Sequence, residues 1–405
     1  MNDSVRVGRP EVFASRVLCG LMVLLVFALL ASASSVRANA QEKMTPLLMA
    51  VQDAPVPFMG SDGRVHLVYE LWVTNFSSAD IEVKKVDVLG DGEVLQTLDA
   101  EEIAGRLQPV GSRQPVSSLV KSGQAMLYID VVLREGARIP HELTHRIALH
   151  VGAAPKGMQE MTEEGGMATV DRQPVATIGP PLRGSGYISA DSCCDATRHT
   201  RAAIPVNGRV WVAQRYAVDW EQLNAKGTIY DGPQQRLESY AIFGKPVLAV
   251  ADALVVSAIN DQPEQTPGKF PADISLDAAD GNAVILDLGE GRYAMYAHMQ
   301  PGSVRVRRGD RVKLGQVIGL VGDSGNSIVP HLHFQVMHGP SSLGANGLPY
   351  EITDFAVTGK TTGGTKAFDA AEEKGTSLPV MRISPARQVK NAMPLDQLIV
   401  SFGGR

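Results

Sequence analysis

Short segments rich in Val, Ile, Leu and Tyr recur between Leu47 and Val151, and turn residues separate each segment from the next. The segments read RVHLVYELWVTNF, DIEVKKVDVL, EVLQTL, AMLYIDVVLR and HRIALHV, and the turns include SDG, GDGE and SGQ. Strands of this length and composition, bounded by Gly, Asp and Ser, are typical of a small β-sandwich. The sequence shows no long amphipathic helix and no internal repeat, so an all-β fold is predicted.

The chain of 405 residues is long enough for two domains with separate hydrophobic cores. We expect a β-sandwich (Ig-like) domain at 41–152, a connector at 153–198, a second β domain at 199–355 and a C-terminal extension at 356–405. The connector carries GG, IGPP and RGSG with little periodicity, which indicates an irregular segment that lies across a neighbouring surface.

Residues 1–40 differ in kind from the rest of the chain. A start with several arginines is followed by an apolar run at Val17–Ala31 and by small residues ending in Ala38, Asn39 and Ala40. This pattern predicts a secretory signal peptide cut before Gln41, with a retained membrane anchor as the alternative. We therefore expect an exported protein, periplasmic or extracellular and associated with the cell envelope, that has no transmembrane segment after cleavage.

The charge balance argues against one class of partner. The formal net charge is −5 at pH 7, and no basic field is apparent. Proteins that bind nucleic acid normally present such a field, so no nucleic-acid partner is expected.

After signal cleavage, Cys193 and Cys194 are the cysteines that remain, and they are adjacent. Neighbouring cysteines can bond to each other only through a small, strained ring. The sequence therefore favours a pair of partly buried thiols, with zinc ligation or a redox role as the alternatives.

The segment HELTH at 141–145 has the spacing of a helical zinc-protease motif. On a helix, His141 and His145 would share one face and hold zinc while Glu142 served as general base. However, Pro140 precedes the segment, and the residues after it alternate apolar and polar with a period of two. A strand with its entry turn is favoured over the protease helix.

A stronger signal lies downstream in PHLHFQV, where His331 and His333 are two residues apart. On a strand these two imidazoles share one face while the intervening side chains enter a core. The segment RYAMYAHM adds His298, and VAQRYAVDW carries Asp219 near the end of a predicted strand. Imidazoles and a carboxylate are the groups that a metal centre or acid–base catalyst requires.

The sequence between about 199 and 350 resembles the lysostaphin/LytM family of secreted zinc endopeptidases, which cut peptidoglycan cross-links. The motifs that carry the resemblance are FGKPVLAVADALVVSA, GNAVILDLGEGRYAMYAHM and VRRGDRVKLGQVIGLVGDSGNSIVPHLHFQV. The resemblance implies a lysostaphin-like antiparallel β domain with a groove. It also implies that Asp219 and His333 bind zinc, and that His298 and His331 act in water activation and in stabilising the tetrahedral intermediate.

One position departs from the family pattern. The family has a histidine four residues before the aspartate, and here Arg215 stands at that position. A guanidinium stays protonated and offers no lone pair to a metal, so Arg215 cannot be a ligand.

Two interpretations of this departure stay open. In one, the domain has lost its metal, Arg215 pairs with Asp219, and the protein binds cell wall or regulates a wall amidase. In the other, His199 replaces the missing ligand, and Arg215 is free to bind a carboxylate of a substrate peptide. The Asn207-Gly208 turn favours the second, because a hairpin about it sets position 199 opposite 216. His199 would need a one-residue bulge to face the site.

The segment GDSGN at 322–326 is close to a serine-protease motif. That chemistry needs a base, an orienting acid and an oxyanion hole. Since strands surround the segment, we expect a turn in which Gly322 and Gly325 supply unusual backbone angles. The function expected from the whole sequence is that of a zinc metalloendopeptidase acting on peptidoglycan peptides.

Overall fold

Residues 42–403 are the part of the chain that the computed structural model describes, and strands dominate it. The strands are β1 (Leu47–Val51), β2 (Phe58–Met59), β3 (Val65–Asn75), β4 (Ile81–Gly90), β5 (Glu93–Leu98), β6 (Leu107–Pro109), β7 (Ser118–Leu119), β8 (Gln124–Val132), β9 (Glu142–Val151), β10 (Glu160–Thr169), β11 (Ala176–Ile178), β12 (Gly184–Ala190) and β13 (Ile204–Val206). They continue with β14 (Arg209–Trp211), β15 (Val218–Gln222), β16 (Pro246–Leu248), β17 (Ala253–Ala258), β18 (Asn282–Gly289), β19 (Arg292–Met299), β20 (Arg311–Val312), β21 (Val317–Leu320), β22 (Leu332–Met337), β23 (Gly347–Leu348), β24 (Tyr350–Thr361), β25 (Val380–Ala392) and β26 (Leu398–Phe402). The α-helices are α1 (Ala100–Ala104) and α2 (Gly364–Lys374), and short 3-10 helices cover Leu237–Ser239 and Leu276–Ala278.

The N-terminal strands form a sandwich of two five-stranded sheets. One has the order β1-β3-β8-β6 with β2 paired to β3, and the other has the order β10-β9-β4-β5 with β7 paired to β4. Burial alternates along β9, where Leu143, Ile147 and Leu149 point inward. They share one hydrophobic core with Leu67 and Leu127 of the facing sheet. The alternation of apolar and polar residues that predicts these strands is therefore what builds the core.

The second part of the fold is a 12-stranded sheet with the order β11-β24-β26-β12-β15-β22-β19-β18-β17-β20, to which β23 and β25 add at the sides. Its pairings are antiparallel except that of β11 with β24. The strands β15, β22 and β19 are consecutive neighbours, and Trp220, Phe334 and Tyr296 from them are buried in one core. An all-β fold with a sandwich followed by an antiparallel β domain is confirmed.

Segments on both sides of 199–355 take part in this sheet. The predicted connector at 153–198 is not irregular throughout, because β10 completes the sandwich while β11 and β12 enter the large sheet. The predicted C-terminal extension supplies β25, β26 and half of β24, and β26 pairs directly with β12. Residues from Pro46 onward form one compact unit. The sequence-based domain limits remain predictions.

The HELTH segment opens strand β9, as the alternation after it predicts. His145 is fully buried, accepts a hydrogen bond from the Tyr69 hydroxyl at 2.8 Å and donates from Nδ1 to the Gly166 carbonyl at 3.1 Å. Burial lowers the pKa of His145 to about 4. This histidine is a satisfied core group of the sandwich.

Two further expectations need correction. Cys193 and Cys194 form a disulfide with each other, so the expectation of two thiols is wrong. In the GDSGN segment, only Gly325 has a positive φ, of 77°, while Gly322 is required because a Cβ there would lie 2.5 Å from the Gln300 nitrogen. Ser324 is buried and donates to the Met299 carbonyl at 2.7 Å, so this segment is a structural turn.

The predicted signal peptide at 1–40 lies outside the described residues. Between residues 42 and 403, no helix is long and apolar enough to cross a bilayer.

Candidate metal centre

Neighbouring strands bring the predicted site residues together. Asp219 on β15 is directly opposite His333 on β22, and His333 is opposite Ala297 on β19 on its other side. His298 follows Ala297 with a φ of 62°, a left-handed conformation that is uncommon outside glycine. His331 immediately precedes β22. The antiparallel register therefore places three histidines around one carboxylate.

His199 reaches the same carboxylate from a turn. The hairpin about Asn207 and Gly208 forms as predicted, with Val206 opposite Arg209 and Ile204 opposite Trp211. The ladder ends there, and the backbone around His199 is a turn closed by the Thr200 nitrogen on the Ala196 carbonyl. His199 thus lies beside Asp219 because it is part of a turn, and the strand bulge expected from the sequence is not needed.

The geometry groups His199, Asp219 and His333 most tightly. His333 Nδ1 lies 2.9 Å from Asp219 Oδ1, and His199 Nε2 lies 3.3 Å from Asp219 Oδ2. One ligand atom from each of the three residues lies within 4.8 Å of the others. Two imidazoles and one carboxylate are a donor set that catalytic zinc uses, with a fourth position left open.

A second nitrogen on each histidine is occupied by an oxygen acceptor. His199, His298 and His331 each donate from Nδ1 to a backbone carbonyl, those of Asp191 at 2.9 Å, Ser324 at 2.7 Å and Val329 at 2.8 Å. His333 uses Nε2 instead, which lies 2.9 Å from Gln335 Oε1. These contacts orient the rings and leave the other nitrogen of each ring as the one that could bind a metal once it carries no proton.

Burial and local charges shift the pKa values of His199, His298 and His331 in different directions. Burial opposes charge on His199, but the carboxylate of Asp219 outweighs it and raises the pKa of His199 to about 9. Burial and the charge of neighbouring imidazoles lower the pKa of His298 well below its ordinary value. Burial likewise lowers the pKa of His331. Burial disfavours charge on Asp219, but His199 and His331 hold its pKa well below the ordinary value, so it remains a carboxylate.

Arg215 does not join this group. Its guanidinium is buried and holds Glu70 of strand β3 in two contacts, Nε to Oε1 at 2.9 Å and Nη2 to Oε2 at 2.5 Å. It does not pair with Asp219, and its side chain is only 6% exposed, which gives no support to the predicted role in binding a substrate carboxylate. The structure therefore places Arg215 in a contact between the sandwich and the large sheet.

A cavity of about 400 Å³ lies over the histidines. Besides the site residues, its walls include Arg113 from the sandwich, the exposed ring of Phe270, and two carboxylic acids, Glu221 and Glu372. Burial raises the pKa of Glu372 to about 7 and that of Glu221 well above its ordinary value. The cavity thus combines an apolar ring, a cation and two carboxyl groups held towards their neutral form.

Two groups that support the site were not predicted from the sequence. Gln335 shares the strand face of His333 and occupies its Nε2, and the alternation in HLHFQ contains the signal that would have found it. Asp191 holds His199 through its backbone carbonyl, which no side-chain pattern reveals.

Comparison with known proteins gives a family for this region. Residues 236–345 match peptidase family M23. The glycyl-glycine endopeptidase ALE-1 of Staphylococcus capitis is 33% identical over 110 residues, which is 27% of this chain and 26% of that protein. The cell division protein DipM of Caulobacter vibrioides is 31% identical over 98 residues, 24% of this chain and 13% of that protein. The chain thus spans about a quarter or less of the length of these relatives.

Among solved structures, the catalytic domain of the antimicrobial peptidase lysostaphin from Staphylococcus simulans is 24% identical. The similarity covers 41% of this chain and 88% of that domain, with a TM-score of 0.22. His298, His331 and His333 lie inside the segment that matches the family, whereas His199 and Asp219 precede it. The resemblance seen in the motifs is confirmed for this segment: residues 236–345 match peptidase family M23.

Proposed function

We propose that the chain is a zinc-dependent endopeptidase that cleaves peptide bonds in peptidoglycan, with His199, Asp219 and His333 as the metal ligands. The observation that carries the proposal is the convergence of these three residues, one ligand atom of each within 4.8 Å of the others. His199 supplies the ligand that Arg215 cannot supply.

The donor set fits zinc. Zinc takes imidazole nitrogen and carboxylate oxygen at about 2.0–2.2 Å, usually with outer hydrogen bonds that orient each ring. The ring nitrogens not directed at Asp219 are already bonded, to the Asp191 carbonyl for His199 and to Gln335 for His333. A zinc ion would replace the contacts that these ligands now make with one another.

The neighbouring histidines are suited to moving a proton. Zinc, when bound, polarises the scissile carbonyl and makes a water molecule more acidic. His331 keeps its Nε2 free of a backbone partner, 3.5 Å from Asp219 Oδ1, and is held towards its neutral form. It can accept the proton of the attacking water, stabilise the growing negative charge as an imidazolium and return the proton to the leaving amine. His298 stands beside it, with 4.7 Å between the ring centres, and supports the same role.

The substrate class rests on the family resemblance and on the predicted export of the chain. A peptide in the cavity would contact Phe270 and Arg113 as well as the site. Peptidoglycan stem or cross-bridge peptides, met in the cell envelope, are the proposed substrates.

The test is digestion of purified peptidoglycan by the zinc-loaded protein, followed by measurement of newly exposed amino termini. His331→Ala should retain zinc and lose cleavage by about 100-fold or more, since general acid–base groups contribute on the order of 10²–10⁴-fold. Asp219→Ala should lose both. A wild-type protein that binds zinc and releases no amino termini from any peptidoglycan type would contradict the proposal.

The alternative is that the domain has lost its metal and binds cell wall or regulates a wall amidase. An Arg215–Asp219 pair was expected with it, and Arg215 instead contacts Glu70. Binding to peptidoglycan by a protein that takes up no zinc would restore this alternative.

A further inference from the structure

A second cluster of ligand-type side chains lies apart from the residues of the proposed zinc site. It consists of His66 on β3, Asp130 on β8 and Cys194, which follows β12. One ligand atom from each of these residues lies within 4.8 Å of the others. Imidazole, carboxylate and thiolate together are a set that divalent transition metals bind.

His66 is held in the orientation that a metal ligand needs. Its Nε2 lies 3.2 Å from Asp62 Oδ1, and the ring of Phe58 stacks on it with 5.5 Å between ring centres. Its Nδ1 faces the other two members, 3.1 Å from Asp130 Oδ1 and 3.8 Å from Cys194 Sγ. A carboxylate on one ring nitrogen and a ligand position on the other is the usual outer arrangement of a metal-bound histidine.

The disulfide controls the third member. Cys194 Sγ is bonded to Cys193, and a disulfide sulfur carries no thiolate charge with which to bind a metal. A dithiol or a phosphine can supply the two electrons that break this bond. The two sulfurs then take up two protons. A dithiol leaves as its own disulfide, whereas a phosphine takes its oxygen atom from water and leaves as the phosphine oxide. Cys194 is half-buried, which leaves a route for the reductant.

We propose that reduction of the Cys193–Cys194 disulfide creates a second metal site, in which Cys194 Sγ, His66 Nδ1 and the Asp130 carboxylate bind a divalent transition metal. The metal displaces the thiol proton of Cys194 and any proton on His66 Nδ1, while Asp62 continues to hold Nε2. A disulfide oxidant that takes two electrons from the two thiolates, and leaves as two thiols, re-forms the Cys193–Cys194 bond, which removes the thiolate and releases the metal. This site does not depend on the proposed peptidase activity.

The two cysteines offer a matched pair of variants. Cys193→Ser cannot form the disulfide but keeps the proposed ligand, whereas Cys194→Ser loses both. The probe is Co²⁺ added to the full chain without oxygen, after reduction with a phosphine and removal of the excess. Only a cobalt–thiolate bond gives a sulfur-to-metal charge-transfer absorption, so cobalt at His199, Asp219 and His333 does not interfere.

The reduced wild type should show this absorption with about one more Co²⁺ per chain than the oxidised protein, and Cys193→Ser should show it without reduction. The oxidised wild type and Cys194→Ser should not show it.

His66→Ala, after reduction, should weaken cobalt binding at this site by at least about tenfold, because loss of even an outer hydrogen-bond partner of a metal ligand costs about 10–100-fold in metal affinity. If Cys193→Ser does not fold, the absorption of the reduced wild type alone tests the proposal. A reduced, folded wild type without the absorption at saturating Co²⁺ overturns the proposal.

Discussion

Arg215 occupies the position of the missing histidine, and the buried carboxylate of Glu70 binds it with two contacts of 2.9 and 2.5 Å. Both side chains are at most 6% exposed. A buried pair is costly to break from one side, because the remaining charge is left without a partner. The residue that cannot bind metal therefore has a structural role between the sandwich and the large sheet.

We expect Glu70→Gln to lower the free energy of unfolding by about 3–5 kcal/mol, measured by urea denaturation, because it leaves the Arg215 charge buried without its counter-ion. The double variant Glu70→Leu with Arg215→Met should be much closer to wild type, since no charge remains. A double variant as unstable as the single one would show that the contact does not act through charge.

At the scale of single residues, the motifs in the sequence pointed to Asp219, His298, His331 and His333 as site residues. The Asn207-Gly208 turn pointed to His199, because a hairpin there sets position 199 opposite 216. It could not place Arg215, because Glu70 lies 145 positions away and its partner is decided by packing between distant segments. The disulfide of Cys193 was missed because local geometry disfavours it in general.

Among the elements, the turn at 322–326 positions a catalytic candidate. The Ser324 carbonyl accepts the Nδ1 proton of His298 at 2.7 Å, and Gly325 has a φ of 77° against the backbone of Gly281. A side chain at Gly325 would collide with that backbone. The sequence predicted a turn here, but its contact with His298 depends on the sheet that brings the two together.

Gly325→Ala should reduce peptidoglycan cleavage by about 100-fold, because the displaced turn no longer fixes the tautomer of His298. The matched control is Gly315→Ala. Gly315 has the same φ of 77° but no atom near the position of a Cβ, so this variant has the strain without the collision. Equal loss of cleavage in both variants would show that backbone strain, and not the position of the turn, is responsible.

A pH-sensitive pair of carboxyl groups lies at the same turn, with Asp323 inside it and Glu264 on the segment that pairs with it. Glu264 accepts from the Asp323 nitrogen at 2.6 Å, and burial raises the pKa of each carboxyl to about 7. Because these pKa values are higher in the folded than in the unfolded chain, their contribution to stability is full below about pH 4 and is lost as the pH rises through about 7. Glu264→Gln should therefore flatten the fall in Tm between about pH 4 and pH 7. Parallel Tm curves for variant and wild type would contradict this assignment.

At the scale of the whole molecule, the large sheet is assembled from distant parts of the chain. Strand β12 lies between β15, which carries Asp219, and β26 near the C-terminal end of the described residues. Local patterns predicted individual strands well. They could not predict these partners, because pairings over such sequence separations are fixed by the packing of the complete core.

A fragment of residues 199–355, the predicted peptidase domain, should therefore be insoluble when expressed alone, whereas residues 46–405 should fold. The fragment lacks β11, β12, β25, β26 and half of β24, which leaves the edge of β15 and apolar residues such as Trp220 uncovered. Solubility and chemical-shift dispersion of the two proteins check this. A well-folded fragment that binds zinc would show that the outer strands are accessory.

The most direct test of the central claim is the zinc content of the purified protein beside two histidine variants. We predict about one zinc per chain in the wild type, loss of that zinc in His199→Ala, and its retention in His141→Ala, which alters the exposed histidine of HELTH. Zinc retained by His199→Ala, or absent from the wild type after incubation with excess metal, would contradict the assignment of His199 as the ligand that replaces Arg215.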